Sequence, residues 1–122
     1  MVNLEVLENA IAAHSSWKSR LRTAVSTGKF DVPVNTVKSD NQCEFGKWLY
    51  GPELSASDKQ TAHYRNVKQL HAQFHLDAAK VVELATTGQK SAAEASLNMG
   101  GVYAKSSTKL TEAVVRWRHG AK

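Results

Sequence analysis

The chain has 122 residues, of which 42% are hydrophobic, and a formal net charge of +5 at pH 7. This length suits one hydrophobic core, so we predict a single domain over residues 1–122. The single cysteine excludes an intrachain disulfide and a disulfide-stapled extracellular scaffold, which favours a reducing, cytoplasmic setting. No apolar run has the length of a membrane span, and the first five residues lack signal-peptide character, so no direct membrane insertion is expected.

The positive charge does not follow a nucleic-acid-binding pattern. Lysines and arginines are scattered along every segment, and the densest cluster is residues 116–119 with Lys122. A nucleic-acid groove requires basic residues that are clustered and interleaved with aromatic ones. We therefore expect a solvated, mildly basic surface and no nucleic-acid partner.

The first predicted element is a helix from about Asn3 to Thr27, with Asn3 as its N-cap and Gly28 as its stop. Its inward positions recur at alternating spacings of three and four, which is a helical period. These positions are Leu4, Leu7, Ile11, His14, Lys18, Leu21 and Val25. Lys18 is the one clear mismatch, and the neighbouring Trp17 is expected to supply apolar bulk there.

The cysteine motif follows a connection that is predicted to be extended, Phe30–Val37, because its alternation is weak and it contains a proline. Residues 39–41 offer capping side chains just before Cys43. A short helix is predicted from Glu44 to Tyr50. Gly46 within it permits a close backbone approach.

Two further long helices are predicted. One opens at residues 55–58 and stops at Gly88, with a seam of Tyr64, Val67, His71, Phe74, Ala78, Val81 and Ala85, widened by Leu70, Val82 and Leu84. The other starts at Ser91, and its inward positions are Ala95, Met99, Val102, Ser106, Leu110, Ala113, Val114 and Trp117. Gly100-Gly101 within it indicates either a close helix contact or a local break. The fold class predicted is all-α, an antiparallel bundle of three long helices plus a short one.

A candidate metal site combines three histidines with the cysteine. His71 and His75 are four residues apart, which places both imidazoles on one side of a helix. With His14 and Cys43 they would complete a tetrahedral zinc site. An imidazole at a core-facing position without partners loses about 1–3 kcal/mol, and coordination would remove that penalty. Nitrogen and sulfur donors favour zinc over magnesium or calcium, while donor type alone leaves copper open.

Three motifs, in order, resemble the signature of the chemoreceptor zinc-binding (CZB) domain family. They are His14-Ser15-Ser16-Trp17, Cys43-Glu44-Phe45-Gly46-Lys47-Trp48 and His71-Ala72-Gln73-Phe74-His75. The resemblance implies a cytoplasmic, dimeric helical bundle in which His14, Cys43, His71 and His75 hold Zn²⁺. It also implies a sensory domain of bacterial chemotaxis receptors or diguanylate cyclases, responding to zinc or to oxidants such as hypochlorous acid. The signalling output module is expected in the same chain or in a partner chain.

Other residues are expected to support the site. Glu44 and Asp77 are candidate carboxylates that would orient the free imidazole nitrogens, and a backbone carbonyl would serve the same purpose. Trp17, Phe45 and Trp48 are expected to pack around the metal and limit access of water.

With four protein ligands the site has no open position for a substrate, so we do not expect an enzyme. Two alternatives stay open: a metal-free helical dimerisation or interaction domain, and a bundle whose zinc is purely structural. A haemerythrin-like centre would need more carboxylates and histidines on facing helices than this chain supplies. His63 and His119 are expected at the surface.

Overall fold

Three long helices and several short ones form the molecule. The computed structural model describes residues 2–121, and its elements are α1 (Leu4–Thr27), α2 (Val34–Lys38), α3 (Glu44–Tyr50), a 3-10 turn (Asp58–Gln60), α4 (Ala62–Thr86), α5 (Lys90–Leu97) and α6 (Val102–Ala121). No β-strand occurs within the described residues. The predicted all-α bundle of three long helices, with a short helix carrying the cysteine motif, is confirmed. None of the described helices is long and apolar enough to cross a membrane.

Successive segments of the bundle alternate in direction. The middles of α1 and α4 meet at His14 and His71, whose ring centroids are 5.1 Å apart. The ends of both helices also meet, because a Cβ atom on Gly28 would lie 3.8 Å from the carbonyl oxygen of Ala85. The two helices are therefore parallel. The segment that carries α2 and α3 runs along α4 in the opposite direction, because Val37 contacts His75 and Leu49 contacts Tyr64.

The last long helix, α6, runs antiparallel to α4. Its first half lies beside the second half of α4, where Ser106 donates a hydrogen bond to Asp77. Its second half lies beside the start of α4, where the rings of Trp117 and Tyr64 are 6.1 Å apart. Because α6 also packs on α1, it contacts both of the helices that carry histidines of the candidate site.

The seams predicted for α1 and α4 are largely confirmed, and so are both ends of α1 and the C-terminal end of α4. The start predicted for α4 at residues 55–58 is wrong, because Thr61 caps this helix and residues 58–60 form the separate 3-10 turn. The side chain of Asn3 accepts hydrogen bonds from the first turn of α1, and Gly28 ends that helix. All seven seam positions of α4 are buried. In α1 the mismatch Lys18 is exposed, and half-buried Trp17 packs against the core.

The extended connection predicted for Phe30–Val37 is wrong in its second half, which forms the one-turn helix α2. Pro33 caps this helix with φ −59° and ψ 143°, and its carbonyl accepts from the N–H groups of Thr36 and Val37. Proline suits a helix start because the N–H that it lacks would have no helical partner there. A helix of one turn has too few residues for a 3.6-residue period to appear in the sequence.

The last predicted helix is broken, so the local break at Gly100-Gly101 is the correct alternative. Gly100 has a left-handed φ of 85°, and a Cβ atom on Gly101 would overlap the carbonyls of the preceding helical turn. The break shifts the helical phase. Three positions predicted to face inward are consequently exposed: Ala95, Met99 and Val102. Three other residues near the break are buried: Ala93, Leu97 and Tyr103.

Candidate metal centre

The four residues singled out in the sequence meet between α1, α3 and α4. One nitrogen from each of His14, His71 and His75 and the sulfur of Cys43 all lie within 4.8 Å of one another. The Cys43 Sγ atom is 3.4 Å from His71 Nε2 and 3.5 Å from His75 Nε2, and those two nitrogens are 3.0 Å apart. Tetrahedral zinc with normal bond lengths places neighbouring donor atoms about 3.3–3.6 Å apart. Three of the donor atoms therefore have roughly the spacing of a four-coordinate site, and a nitrogen of His14 lies within 4.8 Å of them.

Helical phase brings the histidines together. His71 and His75 lie one turn apart on α4, with ring centroids separated by 4.5 Å, and His14 faces them from the middle of α1. The exposed fractions are 4% for His14, 0% for His71 and 2% for His75. Solvent water is thus largely excluded from all three imidazoles, so any charge on them would have to be compensated locally.

Two backbone carbonyls set the tautomers of His14 and His75. The Nδ1 atom of His14 is 2.8 Å from the carbonyl oxygen of Ala10, and that of His75 is 2.9 Å from the carbonyl oxygen of Val37. Because a carbonyl oxygen only accepts, each Nδ1 carries the hydrogen and donates it. In a neutral imidazole the lone pair is then on Nε2, the nitrogen available to a metal.

Neither carboxylate predicted to orient the imidazoles does so. Glu44 is exposed. Asp77 is buried, but its carboxylate accepts hydrogen bonds from Gln73 and Ser106. The alternative of backbone carbonyls is the correct one. The contribution of Val37 was missed because it depends on α2, which the sequence did not reveal.

His71 differs from the other two histidines. Its Nδ1 atom is buried and has no hydrogen-bond partner among the described residues. The ring lies among other rings, with centroid distances of 5.1 Å to both Phe45 and His14. On its Nδ1 side the His71 ring is therefore held by packing alone, and its polar contacts are made by Nε2, with Cys43 and His75.

Cys43 is itself the N-cap of α3, so the capping predicted for residues 39–41 is wrong. Its sulfur accepts a hydrogen bond from the Gly46 N–H at 3.3 Å. A Cβ atom on Gly46 would overlap the carbonyl of Asp40, which confirms the predicted close approach at this glycine. The spacing from cysteine to glycine therefore fixes where the sulfur lies.

The protonation states favoured by burial suit a cation. Burial, with the neighbouring His75, lowers the pKa of His14 to about 4. Burial, with His75 and His14, lowers the pKa of His71 to about 2. Burial also lowers the pKa of His75 and raises the pKa of the Cys43 thiol. Neutral imidazoles are the form that binds metal, and a dication would stabilise the thiolate against the effect of burial. The four residues therefore fit a bound divalent metal.

Aromatic side chains surround the cluster. Phe45 contacts both His14 and His71, and Trp17 approaches His75 with its ring centroid at 6.4 Å. Trp48 lies behind Phe45 and stacks on it at 5.7 Å. Sequence reasoning placed Phe74 only in the core, although its ring is 4.9 Å from that of His14. Its position between the two histidines of α4 was the available signal.

A cleft of about 710 Å³ opens between α1 and α3 and reaches two of the donor residues, Cys43 and His14. Its walls are mainly apolar and include Val6, Ala10, Ala13, Trp17, Phe45 and Trp48. The cysteine is only half-buried. The sulfur is thus the donor with the most direct route to solvent. The remaining histidines, His63 and His119, are exposed as predicted.

Comparison with known proteins agrees with the resemblance noted in the sequence. A model of the chemoreceptor zinc-binding domain family matches residues 14–82, a range that contains all four donor residues. No curated protein and no solved structure gives a significant match. Because the family model covers more than half of the sequence, the chain belongs to the chemoreceptor zinc-binding domain family.

Proposed function

We propose that the chain is a zinc-binding sensory domain of bacterial signal transduction, of the chemotaxis-receptor or diguanylate-cyclase type, whose ligands are His14, Cys43, His71 and His75. The observation that carries the proposal is the convergence of three imidazole nitrogens and one sulfur within 4.8 Å, in the interior of the bundle. This donor set favours zinc over magnesium and calcium. When bound, zinc supplies a fixed double positive charge and four directional bonds.

The ligands would connect segments that are distant in the sequence. His14 belongs to α1, Cys43 begins α3, and His71 and His75 belong to α4. Breaking these bonds would change the balance between packing arrangements of α1, α3 and α4. Because α6 contacts both α1 and α4, it would respond as well. An output module in the same chain or in a partner chain would read that change.

The stimulus that we propose is the zinc level, oxidation of Cys43, or both. The cleft beside Cys43 supports oxidation because it gives a small oxidant a route to the sulfur. With hypochlorous acid, the thiolate sulfur provides an electron pair, an S–O bond forms, the O–Cl bond breaks and chloride leaves: RS⁻ + HOCl → RSOH + Cl⁻. The sulfenic acid is a weaker donor than the thiolate, and a thiol reductant restores the thiol.

A regulatory role is favoured over a catalytic one, because four protein ligands leave no position for a substrate. We also propose a cytoplasmic homodimer, on the basis of the family resemblance. The apolar residues that widen the seam of α4 give this dimer little support, because they are largely covered within the chain: Val82 is buried, and Leu70 and Leu84 are half-buried. Light scattering that gives the monomer mass at micromolar concentration would contradict the dimer.

The sensory function is tested by zinc release under mild oxidation. Hypochlorous acid is added to the zinc-loaded, reduced chain, and a chromogenic chelator follows release of the metal. We expect faster release than without the oxidant, and recovery of zinc binding after a thiol reductant. The variant Cys43→Ser is expected to show no acceleration by oxidant, whereas His63→Ala, which changes an exposed histidine, should behave like the original chain.

If mass spectrometry shows Cys43 oxidised while the rate of zinc loss is unchanged, oxidant sensing through this site is wrong. A sensor of zinc level or a purely structural zinc would then take its place.

A further inference from the structure

We propose that His71 is the most exchangeable of the three histidine ligands: while Cys43 is reduced, His71 binds the metal least tightly and is the ligand at which the coordination shell opens. The inference depends on the zinc-binding function proposed above. The three histidines differ in their surroundings, and neither the set of donor atoms nor the family match describes these differences.

The three histidines differ in what their non-ligating nitrogen contacts. His14 and His75 donate from Nδ1 to backbone carbonyls at 2.8 Å and 2.9 Å. The Nδ1 atom of His71 is buried and has no hydrogen-bond partner within residues 2–121. All three residues have similar, very low exposure, so burial does not distinguish them.

An acceptor on Nδ1–H makes imidazole a better donor and fixes the plane of its ring. Loss of such a partner typically lowers metal affinity by about 10–100-fold. In His71 the metal bond would have to hold the ring without this support, and the Nδ1–H group would stay buried without an acceptor. His71 therefore gains less from coordination than His14 or His75.

Opening at His71 would leave the rest of the site assembled. His75 would still join α4 to α2 through the Val37 carbonyl. Cys43 and His14 would still bridge α3 and α1. Three protein ligands and one open position form an arrangement that accepts an incoming donor.

The test replaces each histidine separately by glutamine, which keeps most of the side-chain volume. Zinc affinity of the full chain and of each variant is measured by competition with a chromogenic chelator, under reducing conditions. Each variant is expected to bind zinc more weakly than the unmodified chain. We expect the fold-loss of affinity in His71→Gln to be smaller, by a factor of at least about ten, than the fold-loss in His14→Gln or His75→Gln. Equal losses in the three variants, or the largest loss in His71→Gln, would overturn the inference.

A second measurement avoids variants that fail to fold. In the zinc-loaded chain with ¹⁵N-labelled histidine, we expect the Nδ1–H protons of His14 and His75 to have the chemical shifts of hydrogen-bonded protons, and that of His71 to lack this shift. Three equally hydrogen-bonded protons would also overturn the inference. A chain that binds no zinc at all would instead contradict the proposed function, so the two failures are distinct.

Discussion

Two polar clusters occupy the same two turns of α4, on different faces of the helix, and have different requirements. At the α4–α6 contact, the buried carboxylate of Asp77 accepts from Gln73 and Ser106, so its hydrogen bonds are supplied within the chain. At the α1–α3–α4 contact, three neutral imidazoles and a thiol bring their donor atoms together. Some of these atoms are within hydrogen-bond distance of one another, but only a cation would engage all four lone pairs at once. The hydrogen bonds of the Asp77 cluster are thus completed within the chain, whereas the histidine–cysteine cluster is expected to require a metal ion.

Zinc removal should have the largest effect, because the metal bonds would join three segments. At free zinc about 1,000 times above the dissociation constant, binding adds about 4 kcal/mol to the free energy of unfolding. For a chain of this size, we expect a chelator to lower the melting temperature by on the order of 10–20 °C. Circular dichroism should show that helices persist, because the apolar core remains. An unchanged melting temperature after verified zinc removal would contradict this.

Acid should destabilise the zinc-free chain. Burial lowers the pKa values of His14 and His71 from an ordinary value of 6.5 to about 4 and about 2. Below pH 6.5 the unfolded chain therefore binds more protons than the folded one, so the free energy of unfolding falls as pH falls from 6.5 towards 4. Urea midpoints at about pH 7.5 and about pH 5 measure the effect. The decrease of the urea midpoint at the lower pH should be smaller in His14→Phe and unchanged in His63→Ala. Equal midpoints at the two pH values in the unmodified chain would refute the prediction.

Breaking the Asp77 cluster should have a smaller effect that is confined to stability. Asp77→Ala leaves the buried hydroxyl of Ser106 without its acceptor, which should cost about 1–3 kcal/mol of unfolding free energy, whereas the amide of exposed Gln73 can bond to water. Zinc content should stay unchanged, because this carboxylate is not a donor to the metal. Glu83→Ala, which removes an exposed acid from the same helix, is the matched control and should change stability by less than about 0.5 kcal/mol. Loss of zinc in Asp77→Ala would show that the two clusters are not independent.

The sequence predicts the parts of this molecule that rest on long helical periods. The seams of α1 and α4 place His14, His71 and His75 on buried faces, and the family motif adds Cys43. What the sequence does not predict depends on contacts between segments. The one-turn helix α2 owes its stability to packing on α4, since a helix this short is unstable alone. The acceptor that it provides, the Val37 carbonyl, carries no side-chain signal.

The break before α6 is a second feature that the sequence alone does not decide. Gly100-Gly101 is compatible with a close contact or with a break, and the left-handed conformation of Gly100 decides between them. Once the helix restarts, the phase of the first half no longer applies to the second. Met99 was predicted to face inward as part of one continuous helix, but it lies in the break and is fully exposed.

The central claim is that three imidazole nitrogens and the Cys43 sulfur hold one zinc ion, and X-ray absorption at the zinc edge, combined with elemental analysis, tests it most directly. We predict about one zinc per chain, three nitrogen neighbours at about 2.0–2.1 Å and one sulfur neighbour at about 2.3 Å. The sulfur neighbour should be absent in Cys43→Ala. A zinc shell without sulfur in the unmodified chain, or stoichiometric zinc that survives replacement of both His71 and His75 by alanine, would contradict the account.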